Sequence, residues 1–315
     1  MKVAALCGGT GAARLLRGLQ EIVPGDDLVA ITNVGDDCEL HGLAISPDLD
    51  TITYTVTGQV NPTTGWGRAG ESWATLGSLR RFSAVVPEGS SAGGTWFALG
   101  DQDLATHLYR TGRAAEGAPL STISAEVAQA FGVRFRLVPA TDDRLRTRVV
   151  VEGDELDFQT WFVGRGHEGR VDAVHYEGAV DASPAPGVLE SLAEAERLVV
   201  CPSNPIVSIG PILAIPAVAD ALRRRRADAV AVSPIIAGAA LNGPAADLLR
   251  DLGHDPSVVG VAHAYRHVAA TLVIDEADRH LIAAVEAEGV RCVVAPIVMH
   301  DLAASIAVAR VALTC

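Results

Sequence analysis

The segment Lys2-Val3-Ala4-Ala5-Leu6-Cys7-Gly8-Gly9-Thr10-Gly11 decides the fold class of this chain of 315 residues. Residues 3–7 are apolar and do not alternate with polar side chains, which is typical of a strand buried on both faces. A glycine turn follows, and residues 15–22 have the apolar spacing of an amphipathic helix. A strand, a glycine turn and a helix form the first unit of a nucleotide-binding α/β fold. We therefore predict a Rossmann-like, three-layer α/β core built on a parallel sheet.

The glycine turn is a candidate phosphate site. Gly8, Gly9, Thr10 and Gly11 would let the backbone approach a phosphate closely, beside the free N–H groups of a helix N-terminus. Arg14 stands where the dinucleotide fingerprint has its third glycine, and its guanidinium could contact a phosphate directly. The turn therefore departs from that fingerprint, and a tight turn without a ligand remains the alternative interpretation.

A cluster of aspartates follows the second predicted strand, at residues 27–32. Asp36 and Asp37 come directly after it, and Asp48 and Asp50 follow within fifteen residues of the first of them. Clustered carboxylates raise one another's pKa unless a cation lies among them. Oxygen ligands of this kind suit magnesium, and the number of carboxylates exceeds what a ribose would need. The alternative is a pair of Asp-rich surface turns.

Polar loops follow further apolar strands in the second half of the chain. Residues 198–201 lead into Ser203 and Asn204, and residues 229–232 lead into Ser233. The carboxyl ends of parallel strands share one edge of a sheet, where ligands bind. We therefore predict a nucleotide-binding core from residues 1–57 and 170–315, with these three side chains on its ligand-binding edge.

Residues 58–169 have a different character and are predicted to form an inserted smaller, mostly helical domain or lid. All four tryptophans lie here, which makes the region a candidate for binding a flat ring system. Asp101 or Asp103 could cap a helix, and His107 could be an ordinary packed histidine. Phe158 and Gln159 are predicted to lie in a strand.

Composition limits the classes of function. The net charge of −13 disfavours a nucleic-acid partner, because a phosphate backbone requires a basic surface. The sequence has no apolar run of the roughly 18 residues that span a membrane, and the apolar run at the N-terminus is too short for a signal peptide. We therefore expect a cytoplasmic protein without a membrane partner. The five cysteines are scattered, which argues against a zinc site or a disulfide framework.

These features together predict metal-assisted phosphoryl or phosphodiester transfer. Such catalysis consists mostly of positioning the substrates and neutralising charge on the transferred group. The sequence shows no legible Ser-His-Asp or Cys-His set, so a covalent enzyme intermediate is not expected. The residues alone do not identify the substrate.

Eight motifs occur in a fixed order along nearly the whole chain. They are Gly8-Gly9-Thr10-Gly11, Gly35-Asp36-Asp37, Ile45-Ser46-Pro47-Asp48-Leu49-Asp50-Thr51, Gly65-Trp66-Gly67, Leu99-Gly100-Asp101-Gln102-Asp103-Leu104-Ala105-Thr106-His107, Phe158-Gln159, the run from Pro202-Ser203-Asn204-Pro205 to Ser208-Ile209-Gly210-Pro211, and Ser233-Pro234-Ile235-Ile236. This set resembles the 2-phospho-L-lactate transferase family, whose actinobacterial members are phosphoenolpyruvate transferases of deazaflavin coenzyme biosynthesis.

The resemblance implies a magnesium-dependent homodimeric enzyme. It would transfer a phosphoenolpyruvyl or 2-phospho-L-lactyl group from a guanosine diphosphate-linked donor to the ribityl hydroxyl of the deazaflavin Fo, releasing GMP. The product would be coenzyme F-420 without its glutamate tail, or its dehydro form. No residue here indicates which three-carbon donor is used.

The resemblance also assigns roles to individual positions. Asp36 and Asp48 match the metal-binding or hydroxyl-activating carboxylates, with Asp37 and Asp50 as second candidates. The guanosine diphosphate side is matched by Gly8, Gly9, Thr10, Gly11, Ser203, Asn204 and Ser233, to which the sequence adds Arg14. The deazaflavin side is matched by Asp48, Trp66, Asp101, Gln102, Asp103 and His107.

One position departs from the family pattern. Gln102 replaces the arginine or lysine that usually lies between the two aspartates of its loop, so acceptor binding could be altered or supplied by Arg80, Arg81 or Arg110. A paralogue with a changed acceptor is therefore one alternative. A nucleotide-sugar-binding regulatory protein of related fold is another, and the segment Pro47-Asp48-Leu49-Asp50-Thr51 favours the enzyme over it.

Overall fold

The computed structural model describes residues 1–87, 90, 92, 94–240 and 243–315. In chain order its strands are β1 (Val3–Cys7), β2 (Leu28–Thr32), β3 (Cys38–Leu40), β4 (Leu43–Ile45), β5 (Arg136–Pro139), β6 (Arg146–Val151), β7 (Asp154–Asp157), β8 (Val171–Glu177), β9 (Arg197–Val200), β10 (Ala229–Val232), β11 (Ile235–Ile236), β12 (Ala239–Ala240), β13 (Thr271–Ile274) and β14 (Arg291–Val294). Its α-helices are α1 (Gly9–Leu19), α2 (Pro47–Val56), α3 (Ala74–Phe82), α4 (Asp103–Ala115), α5 (Leu120–Phe131), α6 (Val188–Glu194), α7 (Gly210–Leu213), α8 (Pro216–Arg224), α9 (Ala245–Asp251), α10 (Val258–Tyr265), α11 (Ile282–Ala287) and α12 (Leu302–Thr314).

The main sheet has seven parallel strands in the order β14-β13-β10-β9-β1-β2-β5. From β1 the chain moves to β2 on one side and later to β9 on the other, so the strand order reverses at β1. Open α/β sheets bind ligands outside the carboxyl ends of the strands at such a point. The loops after β1, β2 and β9 therefore border one crevice, and the predicted α/β fold is confirmed.

Successive side chains of β1 enter two different hydrophobic cores, as the period of a strand requires. Ala4 and Leu6 pack in the core that includes the buried faces of α6, α8 and α10. Ala5 and Cys7 pack in the core of α1, α2 and α12. A sheet buried on both faces by helices is the predicted three-layer arrangement.

The predicted boundaries of the inserted region need one correction. Strand β5 lies within residues 58–169, yet it pairs in parallel with β2 and forms an edge of the main sheet, with Val29 opposite Arg136. The apolar run at residues 137–139 is too short to show by periodicity which sheet it joins. The core therefore extends beyond residues 1–57 and 170–315.

A second sheet of three antiparallel strands, in the order β7-β6-β8, packs beside the crevice. The N–H of Thr147 in β6 donates to the carbonyl of Gly35 at 2.7 Å, which fixes this sheet to the loop after β2. Strand β7 ends at Asp157, so the prediction of a strand at Phe158 and Gln159 is wrong, because these residues begin a helical turn.

The helical part of the predicted insertion contains α3, α4 and α5. Helix α4 packs against β4 and α5, and α5 also contacts α2 and β5. The glycine-rich stretch at residues 89–94 also belongs to the predicted insertion and lies partly outside the described residues. Within the described residues, none of the helices has the length and apolar character needed to cross a bilayer.

Candidate active site at the sheet switch point

Two glycines of the turn after β1, Gly8 and Gly11, are packed too closely for any side chain. A Cβ added to Gly8 would lie 2.7 Å from Oδ2 of Asp48 and 2.9 Å from Cβ of Ser208. A Cβ added to Gly11 would lie 2.2 Å from the carbonyl oxygen of Pro202. Gly9 has a φ of 72°, a left-handed conformation that L side chains rarely adopt. The glycines therefore bring the start of α1 against α2 and the loop after β9.

Asp48 lies at the centre of the crevice, in the first turn of α2. Its Oδ1 accepts the N–H of Gly9 at 2.7 Å, and its Oδ2 accepts the side-chain N–H of Asn33 at 2.9 Å. Burial raises the pKa of Asp48, although these two hydrogen bonds oppose the shift. The carboxylate is therefore held in one orientation between the ends of β1 and β2.

Asp36 is the second buried carboxylate of the crevice. Its Oδ1 has no hydrogen-bond partner among the residues that the structure describes. Burial raises the pKa of Asp36 well above its ordinary value, and the nearby charge of Asp48 raises it further. Two neighbouring charged carboxylates in a buried position are unfavourable without a cation. The pair therefore fits a divalent metal ion, which takes oxygen ligands.

Asp37 and Asp50, the second candidates, each have one oxygen bound to another side chain and one buried oxygen without a hydrogen-bond partner among the described residues. Asp37 is half-buried and accepts the hydroxyl of Ser46 at 2.8 Å. Burial raises its pKa to about 7, although Arg146 and Ser46 lower it. Asp50 forms a buried ion pair with Arg110 of α4. A cation already neutralises Asp50, so the geometry does not bring it into the Asp36 and Asp48 pair.

The predicted nucleotide residues of the later loops hold their own backbone in place. The Ser203 hydroxyl donates to the carbonyl of Gly8 at 2.8 Å and accepts its N–H at 3.3 Å. Asn204 accepts the N–H of Ile206 at 2.9 Å through Oδ1. Ser233 donates to the carbonyl of Ile235 at 2.8 Å. Ser203 and Asn204 lie at the switch point, whereas Ser233 follows β10, the strand on the far side of β9.

Thr10 and Arg14 lie on α1 with half-exposed side chains, and Thr10 lies beside the loop that carries Trp66. A Cβ added to Gly65 would lie 4.0 Å from the methyl carbon of Thr10. The Trp66 side chain is 47% exposed, so a flat ligand has access to its ring. The glycine turn and the first tryptophan of the predicted insertion therefore face the same opening.

A small cavity lies behind Trp66. Its volume is about 40 Å³, and it is lined by Asn61, Thr64, Trp66, Gly67, Arg68, Glu71, Trp73, Ala98, Gly100 and Asp103. This is the space of about one water molecule. This cavity is therefore too small for a ligand with several fused rings.

Near the predicted acceptor loop, each of two carboxylates caps the helix that follows the other one in the chain. Asp101 accepts the N–H groups of Ala74 and Thr75 at 2.9 and 3.0 Å, at the start of α3. Glu71 accepts the N–H groups of Gln102 and Asp103 at 2.8 Å each, at the start of α4. Asp101 therefore caps a helix, as predicted, but that helix is α3, which precedes Asp101 in the chain, and not α4.

The position that departs from the family pattern is exposed. Gln102 donates from Nε2 to the carbonyl of Gly70 at 2.9 Å. Arg80 and Arg81 are exposed at the end of α3, whereas Arg110 is buried and paired with Asp50. Arg110 is therefore not available to replace a cation at this position.

Asp103 and His107 lie inside the protein. Asp103 accepts the hydroxyl of Tyr54 at 2.7 Å, and its other oxygen lies 3.3 Å from Nε2 of His107. Although burial opposes ionisation, the hydrogen bonds from His107 and Tyr54 hold the pKa of Asp103 below its ordinary value. His107 is 1% exposed, so the structure supports its interpretation as a packed histidine. Its ring is not accessible to a ligand in this structure.

Sequence reasoning missed three residues that shape the site. Asn33 orients Asp48 and accepts the N–H of Gly35 at 2.8 Å. Tyr54 holds Asp103. Thr147 anchors the loop that carries Asp36. Asn33 directly follows β2, and a polar residue at that position indicates a place on the ligand-binding edge of the sheet. The roles of Tyr54 and Thr147 depend on contacts between distant segments, which the sequence does not show.

The fold and the site together define a class of protein. It is an α/β protein with a ligand crevice at the switch point of its parallel sheet, bordered by a glycine turn and two buried carboxylates. The sequence model of the family described as 2-phospho-L-lactate transferase CofD matches residues 3–308. The chain belongs to this family, and the predicted resemblance is confirmed.

Individual relatives agree with the family match over nearly the whole chain. A phosphoenolpyruvate transferase of Kitasatospora aureofaciens is 40% identical over 319 residues, covering 99% of this chain and 97% of that protein. One of Streptomyces coelicolor is also 40% identical over 319 residues, covering 100% of this chain and 98% of that protein. The protein is therefore a transferase, and these names support its predicted place in coenzyme F-420 biosynthesis.

A solved structure supports the fold. A member of the UPF0052 family from Bacillus halodurans superimposes with a TM-score of 0.62 at 16% identity, covering 99% of this chain and 98% of that one. At this identity the likeness concerns the architecture alone.

Proposed function

We propose that this protein transfers a phosphoenolpyruvyl or 2-phospho-L-lactyl group from a guanosine diphosphate-linked donor to the ribityl hydroxyl of Fo. GMP is the leaving group, and the product is coenzyme F-420 without its glutamate tail or its dehydro form. The family match and the names of the relatives support this proposal. Because those relatives are phosphoenolpyruvate transferases, we propose the phosphoenolpyruvyl group as the native one.

The observation that carries the proposal is the buried Asp36 and Asp48 pair. Asp36 has a buried oxygen without a partner among the described residues, and its pKa is raised by burial and by Asp48. A buried pair of this kind is neutralised by protons or by a cation, and a divalent cation suits its oxygen ligands. Asp36 and Asp48 would hold Mg²⁺, with Asp37 beside them. When bound, such an ion neutralises charge on the transferring phosphate.

In this proposal the residues of the chain position the two substrates. Asn33 and the N–H of Gly9 hold Asp48 in a fixed orientation, so this carboxylate does not reorganise during the reaction. The first turn of α1 has N–H groups without intrahelical partners, and these groups with the half-exposed Arg14 favour the anionic donor. The acceptor lies at Trp66, across the opening from Thr10.

The transfer exchanges one phosphorus–oxygen bond for another. The ribityl oxygen forms a bond to the phosphorus that carries the three-carbon acid, and the bond from this phosphorus to the GMP oxygen breaks. The hydroxyl proton passes to a carboxylate of the Asp36 and Asp48 pair. Because burial and the charge of Asp48 raise the pKa of Asp36, its carboxylate is a stronger base than an exposed aspartate.

Incubation of the protein with Fo, Mg²⁺ and each guanosine-linked donor tests the proposal. We expect release of GMP and a deazaflavin product whose mass has increased by the phosphorylated three-carbon group. Release of GMP that depends on donor but leaves Fo unchanged would favour a paralogue with another acceptor, for which Gln102 is the motivating position. Absence of turnover, with tight binding of a UDP-sugar, would favour a regulatory protein.

A further inference from the structure

A buried chain of polar side chains joins α2 to α4. Asp50 of α2 pairs with Arg110 of α4, and the same guanidinium lies 3.2 Å from Nδ1 of His107. Nε2 of His107 lies 3.3 Å from Asp103, and Asp103 accepts the hydroxyl of Tyr54 at 2.7 Å. Tyr54 returns the chain to α2. The five side chains therefore connect the two helices at two positions, once through Asp50 and Arg110 and once through Tyr54 and Asp103.

The chain is almost completely removed from solvent. Tyr54 and His107 are 1% exposed, Arg110 is 3%, Asp50 is 5% and Asp103 is 9%. Buried charged groups depend on their partners, because removing one partner leaves an uncompensated charge. Such a network specifies one arrangement of the elements that carry it. The relative placement of α2 and α4 is therefore tightly defined.

The geometry assigns the protons on His107. Nδ1 faces the Arg110 guanidinium, which can only donate, so Nδ1 is an acceptor. With Nδ1 accepting, Nε2 carries the hydrogen, and it lies 3.3 Å from the Asp103 carboxylate without the geometry of a full hydrogen bond. His107 thereby lies between the Asp50–Arg110 ion pair on one side and Asp103, which binds Tyr54, on the other.

Each end of the chain adjoins one side of the proposed reaction. Asp50 is two residues from Asp48, in the same first turn of α2. Asp103 is the first residue of α4, and its N–H and that of Gln102 are capped by Glu71. The network therefore lies between the catalytic carboxylate and the loop at residues 100–103.

We propose that His107 and Arg110 are positioning residues, which set the distance between Asp48 and the acceptor loop at residues 100–103. This inference rests on the proposed function and adds how the acceptor side is aligned with the carboxylate pair. The donor side is built from the glycine turn and the loop after β9, and among the described residues no hydrogen bond or ion pair joins these segments to the network. A loss of alignment therefore lowers kcat while the KM for the donor stays constant.

His107→Gln and Tyr54→Phe test the proposal in the full-length protein. Each breaks one link of the chain while it keeps a side chain of similar size in place. Glu126→Gln is the matched control, because Glu126 joins α5 to Arg113 at 2.9 Å and to Tyr109 at 2.8 Å on another face of α4. Two quantities are measured: steady-state kinetics for both substrates, and hydrogen exchange at the Asp50 amide, which donates to Ser46 at 3.0 Å.

We expect kcat to fall at least tenfold in His107→Gln and less in Tyr54→Phe, with the KM for the donor within twofold of wild type. Exchange at the Asp50 amide should accelerate at least tenfold in His107→Gln and stay unchanged in Glu126→Gln. Equal kcat values in all variants, or unchanged exchange at Asp50, would overturn the positioning role. Absence of turnover in the wild type would instead refute the proposed function, and the exchange comparison would still decide the role of the network.

Discussion

The Asp48 carboxylate accepts the N–H of Gly9 at 2.7 Å, which ties the first turn of α2 to the first residue of α1. Its second oxygen accepts from Asn33 at 2.9 Å, just beyond the end of β2. One side chain thus connects the loops after the two strands that border the crevice. Substitutions at Asp48 or in the glycine turn should therefore alter the geometry of both loops.

Asp48→Asn should reduce turnover by about 100-fold or more, the scale on which loss of one transition-state-stabilising group acts. The substitution removes a charge from the buried pair but keeps the shape of the side chain. The new side-chain amide nitrogen faces either the N–H of Gly9 or that of Asn33, and both of these groups donate. One hydrogen bond is therefore lost, which lowers the free energy of unfolding by about 1–3 kcal/mol. Relief of repulsion with Asp36 offsets part of this cost, so the variant should remain folded. Turnover and thermal unfolding are measured together.

Asp142→Asn is the matched control for that variant. Asp142 accepts the N–H and hydroxyl of Ser121 at the start of α5, outside the crevice. Its substitution should cost about 1 kcal/mol of stability through the lost cap and leave turnover unchanged. Equal turnover in Asp48→Asn and wild type across a magnesium titration would remove Asp48 from the proposed metal site.

Gly8→Ala should disturb the site because the added methyl group would lie 2.7 Å from Oδ2 of Asp48. Overpacking of this kind costs about 1–3 kcal/mol, and the displaced carboxylate should lower turnover at least ~10-fold. Gly112→Ala is the control, since a Cβ there meets no atom within 4 Å and the residue lies inside α4. That change should raise stability by about 0.5–1 kcal/mol. Similar turnover in both variants would contradict the close packing of Gly8.

Stability of the metal-free protein should fall as pH rises. Burial and the charge of Asp48 raise the pKa of Asp36, and burial raises that of Asp37 to about 7. The folded protein therefore holds protons that the unfolded chain releases above ~pH 4. Stability decreases with pH wherever the folded state binds more protons. Denaturant titrations in the presence of a chelator should show this decrease from ~pH 4 up to about pH 7.

Asp36→Asn should make that decrease smaller, because it removes one of the titrating groups. Added Mg²⁺ should restore more stability to the wild type at the upper end of the pH range than at the lower end, since it competes with protons for the carboxylates. The same pH profile in wild type and Asp36→Asn would show that Asp36 is not a buried, shifted carboxyl.

Gln102→Arg should test the position that departs from the family pattern. Gln102 is exposed and bonds the carbonyl of Gly70, so stability should change by less than about 0.5 kcal/mol. A cation beside the acceptor loop should lower the KM for Fo while kcat stays similar. Gln129→Arg, at an exposed position of α5, adds the same charge elsewhere. An equal change in KM in both variants would assign the effect to net charge alone.

The switch-point architecture could be predicted because its signals are local. The strand, glycine turn and helix at residues 3–19 are adjacent in sequence, and the Asp36 and Asp37 pair begins four residues after the end of β2. The sheet position of β5 could not be predicted, because a four-residue strand shows no periodicity that distinguishes one sheet from another.

The roles of Asp50 and His107 depend on contacts across the fold. Asp50 has the same local signal as Asp48, two residues away, but the helix turns it toward Arg110, sixty residues later in the chain. Asp103 and His107 carry a motif that suggests a ligand, yet Tyr54 and Arg110 enclose them. A sequence pattern identifies these residues as important without showing whether they face the substrate or the core.

The initial rate of GMP release in the presence of Fo and the guanosine-linked donor, measured across a magnesium titration, tests the central claim most directly. The account predicts no release after chelation, a saturable rise with Mg²⁺, and one deazaflavin product formed for each GMP released. A rate that is unchanged by chelation, or GMP release without a corresponding deazaflavin product, would contradict it.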